Sequence, residues 1–263
     1  MQIPKIIHYC WFGRNPKPRL AEKCILSWKK FCPDYEIVEW NEDNFDLSAA
    51  PLYVRQAYEA KKWAFVTDYV RLKVVCDRGG IYMDTDVELV KSPDFLLNHQ
   101  AYFGFEDPEA VNTGLGFGAQ QNAPIIRNMM AVYEDLAFLQ EDGSFDLTPC
   151  PERNTEILLQ QGLKLGGTYQ VLSGDILILP KDYLCPLDYE SQKLEKTANT
   201  VSVHWFTASW QTKEEKKKKK QDKAREKRAE FLFQLTRLPN KIGMAVFGEQ
   251  RYVKIRSFLK GQK

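Results

Sequence analysis

The chain opens on an apolar run, Ile3-Pro4-Lys5-Ile6-Ile7-His8-Tyr9-Cys10-Trp11, that reads as a first buried strand closed by the turn Gly13-Arg14-Asn15-Pro16. From Pro18 to Phe31, apolar residues at Leu20, Cys24, Ile25 and Trp28 follow helical spacing, and Pro33-Asp34 breaks that helix. Residues 35–40 form a second strand before the polar loop Asn41-Glu42-Asp43-Asn44. Strand, helix and strand in about forty residues make a βαβ opening, which argues for a parallel sheet under helical cover. Two helical stretches follow, at 51–61 and 63–77, the second stopped by Gly79-Gly80 after a basic last turn. Ile81-Tyr82-Met83 is a short buried strand. Further strands are expected at 101–105, 114–119 and 175–180, with helices at about 123–139 and 152–161. A charged helix is expected from about Lys213 to Glu230.

Length and composition narrow the class. The 263 residues suffice for one sizeable α/β domain, and 44% hydrophobic content is that of a packed protein rather than a disordered one. No apolar run nears the roughly 20 residues of a membrane span. Six cysteines without a CxxC pair or zinc-like spacing, mostly inside apolar stretches, read as reduced thiols. The segment MQIPKIIHYCWFG carries no signal-peptide pattern, so the expected location is cytoplasmic. The net charge of +2 hides a split: residues 1–210 carry 20 basic and 29 acidic side chains, and residues 211–263 carry 17 and 6. The balances of −9 and +11 divide the chain into an acidic body, 1–210, and a basic, partly amphipathic tail, 211–263.

The chemistry concentrates at Gly79-Gly80-Ile81-Tyr82-Met83-Asp84-Thr85-Asp86-Val87. Carboxylates at i and i+2 share a side of an extended chain, and at the carboxyl end of a strand they face the crevice where open α/β sheets bind ligands. Two adjacent carboxylates repel unless a cation lies between them. Mn2+ or Mg2+ accepts a few carboxylates together with substrate phosphates. Taken alone, the pair is equally an acidic surface turn. Asp68 and Arg71, three apart, share a helix face; they serve ribose and phosphate, or they are an intrahelical ion pair. His204, in His204-Trp205-Phe206-Thr207-Ala208-Ser209-Trp210, either packs or completes a metal shell, with Ser209 and Trp210 closing over a diphosphate. Asn112 and Thr113, in a glycine-rich run lacking the dinucleotide fingerprint, are candidates for sugar hydroxyls.

Together these motifs resemble the DXD-containing sugar transferases of glycosyltransferase family 32, which include capsular-polysaccharide transferases and Golgi mannosyl- and galactosyltransferases. The matching pieces are Ile3 to Trp11, Trp28 with Pro33-Asp34-Tyr35-Glu36, Ala64 to Arg71, Gly79 to Val87, and His204-Trp205 with Ser209-Trp210. The resemblance implies a GT-A fold, a Rossmann-like nucleotide-binding half fused to an acceptor half, with Mn2+ or Mg2+ as cofactor. It implies transfer of a hexose from a nucleotide sugar, with retention, to a glycan or lipid-linked acceptor. By position, Asp84 and Asp86 hold metal and diphosphate with Tyr82 and Thr85 between and beside them, and Asp68 and Arg71 sit at ribose and sugar. His8 to Trp11 form the wall near the nucleoside. His204 and Trp210 match closing elements of clostridial-toxin-like transferases. Asp84, Asp86 and Arg71 are thus the expected catalytic set, with Asp84, Asp86 and His204 as metal ligands.

Two rival readings remain at this point. Asp84-Thr85-Asp86-Val87 also resembles the nucleophile motif of haloacid-dehalogenase-like phosphatases, but it lies a third of the way along the chain and no Asp-Asp pair follows it. A non-catalytic sugar- or membrane-binding protein would not need a metal-diphosphate site. The tail, 213–260, sets basic residues beside short apolar segments, which suits an anionic membrane surface and a peripheral position at the inner face of the plasma membrane. Without interleaved aromatics or a reading motif it does not suit nucleic acid. Truncation after Trp210 that left liposome binding unchanged would exclude the membrane role.

Overall fold

The computed structural model describes residues 2–207 and the isolated Arg225. The chain divides into two units, Met1–Thr207 and Ala208–Lys263, and the account below concerns the first. Ser209, Trp210 and the expected basic helix lie outside the described residues.

The opening follows the hydrophobic pattern. Strand β1 (Ile6–Cys10), helix α1 (Arg19–Phe31) and strand β2 (Glu36–Trp40) form the βαβ unit, with β1 and β2 parallel and Ile6 opposite Glu36. Helices α2 (Leu52–Glu59) and α3 (Trp63–Arg78) follow, then β3 (Gly80–Tyr82), which pairs parallel to the other side of β1. Next come β4 (Val87–Leu89), β5 (Ala101–Asp107), β6 (Ala110–Val111) and β7 (Phe117–Ala119). The remaining elements are α4 (Pro124–Ala131), α5 (Cys150–Gln160), β8 (Gln170–Leu172), β9 (Ile176–Leu179), α6 (Lys181–Leu184) and β10 (Ser202–His204).

The main sheet runs β2-β1-β3-β7-β5-β9-β8, with β6 paired to β5, and β4 and β10 form a separate antiparallel pair. Its first three strands are parallel, β7 is antiparallel to both neighbours, and β5 and β9 are again parallel. This is the expected α/β class: a Rossmann-like parallel half followed by a mixed half. The inner strands β1, β3, β5, β7 and β9 are buried on both faces, whereas the edge strands β2 and β8 stay partly exposed. In β9, Ile176 and Ile178 join the core with Phe103, Phe105 and Phe117 from β5 and β7, while Leu177 and Leu179 face the opposite core with Trp28 and Ile81. All six cysteines are free and buried.

Gly79 and Gly80 do more than stop α3. Gly80 has φ +111, and a Cβ there would lie 2.7 Å from the Ile6 carbonyl and 3.1 Å from His8 Nε2. Only glycine admits β3 against β1 at this point. Three expectations fail locally. The helix at 123–139 ends at Ala131, because Tyr133 turns into the core against Tyr53 and Tyr69. The strand at 114–119 begins at Phe117, preceded by a tight 3-10 turn at Thr113–Leu115. The helix at 152–161 starts earlier, at Cys150.

His8 shows how the sheet constrains a site candidate. The side chain is fully buried; Nε2 donates to the Gly79 carbonyl at 2.9 Å and Nδ1 accepts from Trp40 Nε1 at 3.1 Å. Both nitrogens are engaged inside the fold, so His8 supports the crevice wall from behind and does not itself contact a ligand there. Burial, with Arg78 adding, outweighs the Gly79 hydrogen bond and pushes the imidazole down to about 4. A proton on Nδ1 would also oppose the Trp40 donor. The folded state therefore favours neutral His8, and its contribution is present above the unfolded value near 6.5 and lost as pH falls to about 4. That loss is about 3 kcal/mol. In urea titrations between pH 7 and 4, wild type should lose stability more steeply than His8→Gln; parallel curves would contradict this.

Candidate active site

The carboxyl ends of β2, β1 and β3 meet at one sheet edge. Trp11 follows β1 there, half-buried, its backbone N–H bonded to the Trp40 carbonyl and its Nε1 donating to Asn15 O at 2.6 Å. Met83 continues β3 by donating to the His8 carbonyl at 3.0 Å. Asp84 and Asp86 come next, but on a turn rather than an extended strand: the Val87 N–H closes back on the Asp84 carbonyl at 3.0 Å. The two carboxylates thus converge by a tight reversal. Thr85 lies half-exposed at its apex.

β10 brings the third member. Its antiparallel register sets His204 opposite Val87, directly after Asp86, and places His204 Nε2 3.1 Å from Asp86 Oδ1. One ligand atom from each of Asp84, Asp86 and His204 lies within 4.8 Å of the other two. Phe206 then adopts φ +49, uncommon for a bulky residue, and packs edge-on to His204 at 4.3 Å. The reversal returns Thr207 to the site, where its N–H and Oγ1 both donate to Asp86 Oδ2 at 2.8 Å. Burial would raise the Asp86 carboxyl, but His204 and Thr207 outweigh it and hold the group well below the usual carboxylate range. Burial would likewise lower His204, and Asp86 beside it, with Cys185 and Asp84, raises the imidazolium well above its ordinary value.

Asp84 is fixed from the inside. Tyr82, 1% exposed, donates its hydroxyl to Asp84 Oδ1 at 3.0 Å. Arg71 Nη2 lies 3.3 Å from the same oxygen and 3.2 Å from Asp68 Oδ1, and its guanidinium covers the Tyr82 ring at 5.0 Å. Arg71 Nε donates to Thr67 O, and Nη1 lies 3.6 Å from Cys150 Sγ. With 4% exposure and these contacts, Arg71 is a clamp on Asp84 and not an outward phosphate contact. The intrahelical pair with Asp68 exists, and the same guanidinium reaches the aspartate turn. Burial pushes Asp68 up to about 6 against the pull of Arg71.

The glycine-rich run completes the floor. Asn112, 9% exposed, caps the 3-10 turn by accepting from Gly114 N at 2.6 Å, and the Gly114 carbonyl accepts from Asp84 N at 3.2 Å. The Asn112 amide donates in turn to Glu106 on β5. Thr113 is fully buried and accepts from Asn154 at 2.9 Å, so it offers nothing to a sugar. Glu106 carries no sequence signal, and nothing singles out Gly114 or Thr207 within the runs that contain them. Their positions come from tertiary pairing.

Two carboxylates and an imidazole converging at a sheet edge are a donor set that suits a hard divalent cation such as Mn2+ or Mg2+. Residues 18–103 match the family model described as a glycosyltransferase sugar-binding region containing a DXD motif. Over 137 residues the chain is 30% identical to inositol phosphoceramide mannosyltransferase 3 of Schizosaccharomyces pombe, a match covering 48% of this chain and 37% of the relative's length. The chain thus spans little more than a third of that relative. Among solved structures it is similar to the PaToxG glycosyltransferase, at 21% identity over 60% of this chain and 69% of that one, TM-score 0.48. It is also similar to a glycosyltransferase involved in glycosylation of the major capsid of PBCV-1, at 12% identity over 78% and 95%, TM-score 0.46.

Proposed function

We propose that the protein is a metal-dependent, retaining glycosyltransferase that moves a hexose from a nucleotide sugar, a UDP-sugar in the first instance, to a glycan or lipid-linked acceptor. The observation that carries this reading is the convergence of Asp84, Asp86 and His204 within 4.8 Å at the carboxyl edge of a Rossmann-like sheet. We assign the capsular or surface-polysaccharide setting, and contact of the 213–260 tail with an anionic membrane, on the resemblance and charge pattern described above. Among the described residues no helix is long and apolar enough to cross a membrane. A second reading, mannosyl transfer from GDP-mannose, is supported by the mannosyltransferase relative.

Asp84, Asp86 and His204 would hold the cation, which would supply neutralisation of the diphosphate and of the charge left on it. Arg71 and Tyr82 fix the Asp84 carboxylate before substrate arrives, and Thr207 fixes that of Asp86, so little reorganisation remains at reaction. Trp11 lines the nucleoside side, with His8 rigidifying it from within. The acceptor hydroxyl oxygen attacks the anomeric carbon on the face the diphosphate leaves. The carbon–oxygen bond breaks with its electron pair going to the departing phosphate oxygen, which takes the acceptor proton. No protein nucleophile is required. Incubation with Mn2+ and a panel of UDP-, GDP- and dTDP-sugars tests the reading: one nucleotide should be released in a metal-dependent way. Protein that neither binds nor turns over any of them would contradict it in favour of a binding module.

A further inference from the structure

The amide of Asn112, the sequence candidate for sugar hydroxyls, is engaged at both ends, its oxygen by Gly114 N–H and its nitrogen by Glu106. The nitrogen of that amide holds the Glu106 carboxylate. Glu106 sits where the β5–β6 register shifts between the Phe105↔Val111 and Asp107↔Ala110 pairs, an irregularity that re-aims a side chain. It is half-buried, with one carboxylate oxygen on Asn112 and no hydrogen bond to the other among the described residues. Through Asn112 and Gly114 it joins the backbone that anchors Asp84. Glu106 therefore lies on the Asp84 side of the crevice, a third carboxylate that the cation set does not use.

Resting on the function proposed above, we infer that Glu106 is a specificity-determining residue that accepts hydrogen bonds from hydroxyls of the transferred hexose. A carboxylate held by a buried amide is a pre-oriented acceptor, and its bonds to hydroxyl donors are charge-assisted. An epimer that turns a hydroxyl away leaves that acceptor unpaired, which is how a polar site rejects a close analogue.

Calorimetric titration of the full chain with Mn2+ separates this role from that of the cation site. UDP and GDP are the diphosphate probes, and UDP-galactose, UDP-glucose and GDP-mannose the sugar probes. Glu106→Gln keeps an oxygen for the Asn112 amide and removes the charge, and Glu106→Ala removes both. Wild type should bind one nucleotide sugar more tightly than its diphosphate. Glu106→Gln should keep the diphosphate affinity and thermal midpoint while losing about 10-fold in affinity for the sugar form, and Glu106→Ala should lose at least as much. An unchanged preference for the sugar form in Glu106→Gln would overturn the inference and leave the proposed function standing. So would an equal fall in affinity for diphosphate and sugar, or a thermal loss that accounts for the change, either of which makes Glu106 a structural strut. Wild type that binds no probe would overturn both.

Discussion

Arg71→Met is expected to destabilise the protein by about 3–5 kcal/mol at neutral pH, among the largest single effects available to this fold. The guanidinium is 4% exposed and stands between the Asp68 and Asp84 carboxylates at 3.2 and 3.3 Å. A methionine fills much of its volume, so the loss is electrostatic: the Asp68 side chain, 8% exposed, is left as a buried anion without its partner. Two results would identify that cause. Asp68→Asn on the Arg71→Met background should recover most of the stability, because the orphaned charge is gone, but not activity, because Asp84 still lacks its clamp. The deficit of the single variant should also shrink as pH falls from 7 towards 4. Asp68 already has a folded value raised to about 6, and without Arg71 it rises further, so protonation relieves the variant more than the wild type. Urea midpoints across that range check both, and a single variant with the wild-type midpoint would contradict the clamp.

Gly114→Ala should do the reverse, sparing the fold and disabling the site. A Cβ at Gly114 would overlap Asp84 Oδ2 and lie 3.1 Å from Asn112 Oδ1 and 3.2 Å from Arg71 Nη1. Asp84 has little freedom to yield, since Tyr82 and Arg71 hold its Oδ1 and its backbone N–H is bonded to the Gly114 carbonyl. The added methyl displaces the carboxylate from the one geometry that meets Asp86 and His204. Overpacking of this kind costs about 1–3 kcal/mol. The effect on divalent-ion affinity should be larger, on the order of 10–100-fold, the usual result of disturbing the groups that orient a ligand. A variant with wild-type Mn2+ affinity would show that Asp84 is not set by this glycine.

The parts of this architecture visible in the sequence are those governed by local periodicity. Helix α1 and strand β2 fall within a residue of the hydrophobic pattern, whereas β1 begins at Ile6, three residues into the apolar run that starts at Ile3. β4 and β10 leave no such trace: three residues each, they are strands because they pair with one another, and that pairing delivers His204 to Asp86. The aspartate pair was readable as a motif but not as a turn, because spacing alone does not separate an extended i, i+2 pair from a reversal. Arg71 was readable as a partner for Asp68, whereas its reach to Asp84 depends on α3 packing against β3. Asn112 drew attention by residue type, but its hydrogen bonds turn it into a support and leave Glu106 at the rim. Thr207 reaches Asp86 only through the positive φ of Phe206.

On the function proposed above, Asp84, Asp86 and His204 hold one divalent cation together with a nucleoside diphosphate. Electron paramagnetic titration of Mn2+ in the presence of UDP or GDP tests it most directly, comparing wild type with Asp86→Ala. Wild type should take up about one Mn2+ per chain together with nucleotide, and Asp86→Ala should lose that uptake while remaining folded. Equal uptake by the two proteins would place the cation elsewhere and contradict the account.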